Sequence, residues 1–215
     1  MRTRIYWLAV LCLALAAVPA WPQNWSYDNG PINGMTDFWK INFGFIVSDT
    51  FVAGGASVNG FALGVELVDS TETVTSLDWS ITSGENGGTT FGSGTASGAN
   101  LTDKFVSTNQ FGFAINEVTV SGLNVATTSN TTYWLNLQNA VVSDGGVAYW
   151  DENSGAGCKS NGCPSSASES AIGTIPSEAF TISGGGTQPT PEPGSFLLFA
   201  SGILGMAGVL RRKWL

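Results

Sequence analysis

The strongest constraint on the fold of this chain is an alternation of period two. In the run Phe61-Ala62-Leu63-Gly64-Val65-Glu66-Leu67 the apolar side chains at 61, 63, 65 and 67 fall on one face, and Ala62, Gly64 and Glu66 on the other. That pattern makes a half-buried strand and cannot make a helix with a coherent apolar stripe. Leu77, Trp79 and Ile81 alternate with Asp78 and Ser80 in the same way, and Phe111, Phe113 and Ile115 lead into Val118 and Val120 across an expected bulge near Glu117. Further strands are expected at 43–47, 50–53, 89–93, 104–107, 131–137, 146–150 and 178–182. The pairs Asn59-Gly60 and Gly87-Gly88 and the triplet Asp144-Gly145-Gly146 are read as turns between them. The 28 glycines punctuate the chain too often for a helical protein. With no fixed-period repeat and no βαβ unit, the expected body is all-β: an antiparallel β-sandwich of jelly-roll type.

The chemistry open to such a body is limited. There is no histidine in the 215 residues, which removes Ser-His-Asp hydrolysis and His-ligated zinc. Charge is segregated. Arg2 and Arg4 stand at one end and Arg211, Arg212 and Lys213 at the other, so Lys40, Lys104 and Lys159 alone face all sixteen acids, a balance of −13 between the ends. Such a surface repels nucleic acid phosphates and anionic lipid headgroups, so no nucleic acid partner is expected. Neutral glycans or divalent cations suit it better.

The ends read as signals. Arg2 and Arg4 precede an apolar run at 5–18, then Pro19 and Ala20, which together form a secretory signal peptide over 1–20 with signal peptidase as its processing enzyme. The run is too short for a comfortable membrane span. Cys12 sits in the middle of it behind Leu11, where a lipoprotein would need a small residue. Cys158 and Cys163 are then an even pair with four residues between them, and in an oxidising compartment they are expected to form a disulfide that staples a small loop. A redox or metal role would want a two-residue spacing or a second pair.

After the body at 21–183 comes a Gly/Pro linker at 184–190. It is followed by Pro191-Glu192-Pro193, an apolar run at 195–210 and the basic cluster Arg211-Arg212-Lys213. As a helix the run is about 24 Å long, extensible by snorkelling arginines and Trp214 into a transmembrane helix of the inner membrane. The cluster holds the C-terminus in the cytoplasm and therefore the body in the periplasm. This tripartite tail resembles the PEP-CTERM protein-sorting signal of Gram-negative bacteria, over 191–215. The resemblance implies exosortase, a membrane-embedded transpeptidase-like enzyme, as the partner that cuts near Pro191, Glu192 and Pro193. It also implies delivery to the cell surface or extracellular space beside exopolysaccharide and biofilm. The same kind of tail also goes under the name ice-binding protein C-terminal domain. The stretches 41–49, 134–140 and 149–153 are similar to those in bodies of other PEP-CTERM proteins.

Within the body, Trp134 shares a face with Asn136 and Gln138, opposite Tyr133, Leu135 and Leu137, so it is either a sugar-stacking ring or core. Tyr149 and Trp150 lead into Asp151-Glu152-Asn153, and Trp134, Tyr149 and Trp150 are the candidate glycan contacts. Asp151 and Asn153 before the Gly155 turn match part of a calcium loop, without its third oxygen ligand or closing glutamate, and no other cofactor is expected. A glycosidase needs two facing carboxylates, whereas Asp151 and Glu152 would point to opposite faces of a strand. Ice binding would need a regular threonine array, and Thr71, Thr73 and Thr75 do not extend into one. The expected role is non-enzymatic, structural or adhesive, linked to exopolysaccharide. The alternative is a carbohydrate-binding module.

Overall fold

The computed structural model describes residues 25–35 and 37–185. The expectations for the signal peptide at 1–20, for nearly all of the linker and for the tail at 191–215 lie outside the described residues. Among those that are described, no helix is long and apolar enough to cross a membrane.

Thirteen strands follow one another: β1 (Trp25–Asp28), β2 (Phe38–Lys40), β3 (Ile46–Val52), β4 (Ser57–Leu67), β5 (Val74–Gly84), β6 (Gly87–Ser97), β7 (Leu101–Thr108), β8 (Ala114–Ala126), β9 (Thr132–Val142), β10 (Tyr149–Asp151), β11 (Ala167–Glu169), β12 (Gly173–Ile175) and β13 (Phe180–Gly184). They form two antiparallel sheets. The six-stranded sheet runs β12-β11-β3-β9-β5-β6. The seven-stranded sheet is built around β4, which pairs with β8 along one edge and with β13 and then β10 along the other. β1 extends the β13 branch, with Trp25 opposite Ser183, and β2 extends the β10 branch.

The alternation seen in the sequence is what closes the core. Phe61, Leu63, Val65 and Leu67 of β4 and Leu77 and Ile81 of β5 are fully buried, and they share one cluster with Leu135 and Leu137 of β9. Phe61 meets Trp79 of the other sheet edge-on at 6.5 Å, and Tyr27 lies between Phe51 and Phe180 at 6.3 and 5.6 Å. Two antiparallel sheets thus share one core.

Several local expectations change. Asn59-Gly60 is not a turn: it lies inside β4, where the register with β8 shifts between Val58 and Gly60. A Cβ on Gly60 would stand 2.4 Å from the Val120 carbonyl oxygen, so this glycine permits close strand approach and not chain reversal. The strands expected at 43–47 and 50–53 are one strand, β3, preceded by a turn in which Phe43 and Gly44 both have positive φ. The β5–β6 hairpin turns at Glu85-Asn86, just ahead of Gly87-Gly88. β8 continues through Glu117 in regular register with β4, and Phe111 belongs to the turn before that strand.

Candidate functional site

Where β13 and β10 meet beside β4, acidic side chains accumulate. Gly64 N–H donates to the Ala179 carbonyl, Ala179 N–H to that of Asp151, and Glu152 forms a lone bridge with Glu178. Asp49, Glu66, Asp151, Glu152 and Glu178 are all buried here. No expectation from the sequence included this concentration.

Glu66 and Asp151 occupy the outer side of β4 and β10, on the face opposite Leu63 and Val65. A Cβ on Gly64 would lie 2.9 Å from both Asp151 Cβ and Ile32 Cγ2, so the glycine leaves the space into which Asp151 folds. Asp151 Oδ2 accepts the N–H of Asn33 at 2.9 Å, and Oδ1 accepts that of Gly34 at 3.1 Å. Glu66 Oε2 accepts Asn109 Nδ2 at 3.1 Å. Burial, reinforced by the neighbouring Asp151, pushes the Glu66 carboxyl up to about 8. Burial raises Asp151 as well, opposed by the two amide donors and by Glu66. Glu66 is therefore mostly protonated at neutral pH, and its buried Oε1 has no hydrogen-bond partner in the protein.

These two carboxyls hold two loops. Asp151 fixes the segment ending in Met35. Glu66 fixes Asn109, whose Oδ1 accepts the N–H of Phe111 and of Phe113, each at 3.0 Å, in a turn closed by Gly112 N–H to the Asn109 carbonyl. Between the loops lies a groove of about 570 Å³, lined by Met35, Asp37, Phe38, Phe111, Phe113 and Glu152. Its volume is in the range of small-ligand sites, roughly 300 to 1,000 Å³. Phe38 stands 5.2 Å from Phe113 and 4.6 Å from Tyr149, ring to ring, while Met35 and Phe111 are 59% and 63% exposed. Glu152 is positioned by Trp39 Nε1 at 3.0 Å and Ser154 Oγ at 2.8 Å, and its N–H donates to the Asp37 carbonyl.

Inside the sandwich, Asp49 of β3 receives the Glu178 N–H at 2.8 Å, and burial lifts its carboxyl to about 7. Glu178 finds no protein hydrogen-bond partner for either carboxylate oxygen. Burial raises it well above the usual carboxylate range, helped by the negative charge of Asp49, Glu152 and Asp151. A carboxylate without a donor in such a place is far costlier than a carboxylic acid, so burial favours the neutral form of Glu178.

The candidate glycan contacts are not brought together. Trp150 is core, fully buried, with its indole N–H donating to the Ala179 carbonyl at 3.0 Å and its ring edge-on to Phe180. It has no surface to offer a sugar. Trp134 lies on the six-stranded sheet, half-buried between Thr50 and Thr82 on the outer face, while Tyr149 is on the other sheet. The polar row beside Trp134 is already engaged: Asn136 Oδ1 accepts from Ser48 Oγ and from the N–H of Asn86, so the β5–β6 turn folds back over it. Of the three, Tyr149 alone adjoins the groove, behind Phe38.

The calcium candidates close turns instead. Asn153 Oδ1 accepts the Gly155 N–H and its Nδ2 donates to the Asn29 carbonyl, while Asp151 is held as described. Among the described residues no group of three or more Asp, Glu, Cys or His side chains is arranged to hold a metal ion. Cys158 and Cys163 are joined in a disulfide. The groove residues Phe111 and Phe113 were visible in the sequence as apolar positions, but alternation assigned them to a strand. Asn109 followed by Gly112 was the signal for a turn.

A family model for the PEP-CTERM protein-sorting motif matches residues 189–213. No curated protein matches the chain. The chain carries a PEP-CTERM sorting motif, with exosortase as its processing partner and export to the cell surface as its route.

Proposed function

We propose, starting from a chain that exosortase sorts to the outside of the cell, that the β body is a non-enzymatic adhesive or structural module held in the extracellular polysaccharide. The observation that supports this is the groove between residues 33–35 and 109–113, with exposed Met35 and Phe111 on rigidly anchored loops. Exposed apolar side chains gathered on one anchored site favour contact with a partner. The tail is taken to act as a transient inner-membrane anchor, cut near Pro191-Glu192-Pro193, and the sandwich to be wound as a jelly roll. The long-range pairings of β3 with β9 and β4 with β13 favour that winding.

A non-enzymatic role fits the chemistry of the acids. Glu66 and Asp151 are fully buried and are engaged by the Asn109 amide and by the Asn33 and Gly34 N–H groups, so neither is presented to a glycosidic bond as a glycosidase's facing carboxyls are. The alternative of a carbohydrate-binding module using Trp134, Tyr149 and Trp150 has less in its favour, since Trp150 is core and the polar neighbours of Trp134 already bond to the β5–β6 turn. Glycan contact is better served by the groove.

The reading is tested by fractionating cells that express the chain with Glu192→Ala. Retention of the variant in the inner membrane, with the unaltered chain recovered from native exopolysaccharide, is the expected result. Equal recovery of both outside the cell, with Trp214 and Leu215 still attached, would overturn the sorting step. Failure of the unaltered protein to stay with the polysaccharide would overturn the adhesive role. The same genome is expected to hold an exosortase gene beside an exopolysaccharide cluster.

A further inference from the structure

We infer that the groove takes an amino sugar bearing a free ammonium group, presented by a cationic polysaccharide. This rests on the adhesive reading above and names its ligand class.

The groove offers two kinds of surface. Phe38, Phe111 and Phe113 give it aromatic walls, tilted to one another and partly or largely exposed. Ring faces carry negative quadrupole charge, so they attract the apolar C–H face of a pyranose and, more strongly, a cation. Exposed Asp37 adds a carboxyl group to the same lining, and buried Glu152, its carboxylate held by Trp39 and Ser154, adds negative charge behind it. The molecule uses the cation-on-ring geometry elsewhere: Lys40 Nζ lies 4.8 Å above the Phe45 ring. That contact turns Lys40, on the strand that also carries Phe38, onto its own aromatic partner.

Charge selects among glycans. A body with three lysines against sixteen acids repels uronate or sulfated polymers and draws in a polycation. Neutral sugars would stack on the rings without using the carboxyl groups. A lone lysine or arginine side chain would use those groups while leaving the wide exposed surfaces of Phe111 and Met35 uncovered. A hexosamine ring satisfies both.

The test is calorimetric titration of the full chain with four tetramers: glucosamine, N-acetylglucosamine, galacturonate and lysine. Phe111→Ala and Asp37→Asn are the variants, since Phe111 and Asp37 are exposed and their replacement leaves the core untouched; Trp134→Ala is the control. Expected are binding of the glucosamine tetramer, a loss of about tenfold or more on acetylation, and a similar loss in both groove variants but not in Trp134→Ala. Equal binding of the acetylated tetramer would overturn the ammonium requirement, and equal binding of tetralysine would overturn the sugar. No binding of any oligomer by a folded protein would overturn the inference alone, because retention in native exopolysaccharide is scored separately.

Discussion

Glu66 and Asp151 lie on the same face of the paired strands β4 and β10, and each grips a different wall of the same groove. Asp151 holds the N–H groups of Asn33 and Gly34, and Glu66 holds the Asn109 amide that organises Phe111 and Phe113. Protonation of Glu66 keeps two negative charges from meeting between those walls. Glu66→Gln keeps a neutral side chain of the same length, so it is expected to leave stability at pH 7 within about 1 kcal/mol, while Glu66→Ala strands the Asn109 amide, leaves a cavity and costs roughly 2 to 4 kcal/mol. Urea denaturation of both variants reads the difference, and equal losses would argue against the proton.

Stability is expected to fall as pH rises. Asp49 is raised to about 7 and Glu66 to about 8, from ordinary values near 4, and Glu178 is raised as well. The folded state thus binds protons that the unfolded chain has released, so the stabilisation is complete below about pH 4 and is lost as pH climbs to 7 and 8. For Asp49 alone a shift of about three units corresponds to roughly 4 kcal/mol. Asp49, Glu152 and Asp151 pack near Glu178, and their negative charge opposes its ionisation further. Melting temperatures between pH 4.5 and 8.5 should decline steadily, and Asp49→Asn should flatten the slope. A maximum above pH 7 would contradict the assignment.

How much of this was legible beforehand follows from what alternation can and cannot report. It placed Phe61 to Leu67, Leu77 to Ile81 and Tyr133 to Leu137 on their buried faces, because a side chain's face in a strand depends only on local geometry. It read Glu66 as a solvent-facing residue, because the cover over that face comes from residues 32–35, some thirty positions earlier in the chain. It offered Trp150 to a sugar because a tryptophan beside acids looks exposed, whereas β2 and β13 enclose it. Strands β1, β2, β11 and β12, of three or four residues, carry too few positions for a period to register.

The two tryptophans singled out from the sequence should separate cleanly on mutation. Trp150→Ala removes a fully buried indole and its hydrogen bond to Ala179, and is expected to cost about 3 to 5 kcal/mol. Trp134→Ala, at a half-buried site on the outer face, is expected to cost about 1 kcal/mol or less. Differential scanning calorimetry ranks them, and a reversed order would mean the sheet faces are misassigned.

Gly64→Ala tests the fit of Asp151 against β4. The new methyl would stand 2.9 Å from Asp151 Cβ and from Ile32 Cγ2, so β10 and the 30–35 segment must shift together. A loss of roughly 1 to 3 kcal/mol is expected, with weaker order in the Asn33 and Gly34 amides by hydrogen exchange. Unchanged protection of those amides would show that Asp151 does not hold them.

Trp25 and Ser183 lie side by side on paired strands, so the polypeptide enters and leaves the sandwich at one corner, near Gly60 of β4. Glu66 lies six residues further along that strand, roughly 20 Å away at about 3.3 Å per residue. A load on either end of the sandwich is thus delivered to the β1–β13 ribbon and leaves the far end of β4, with the aromatic recess, unstrained while the molecule is pulled.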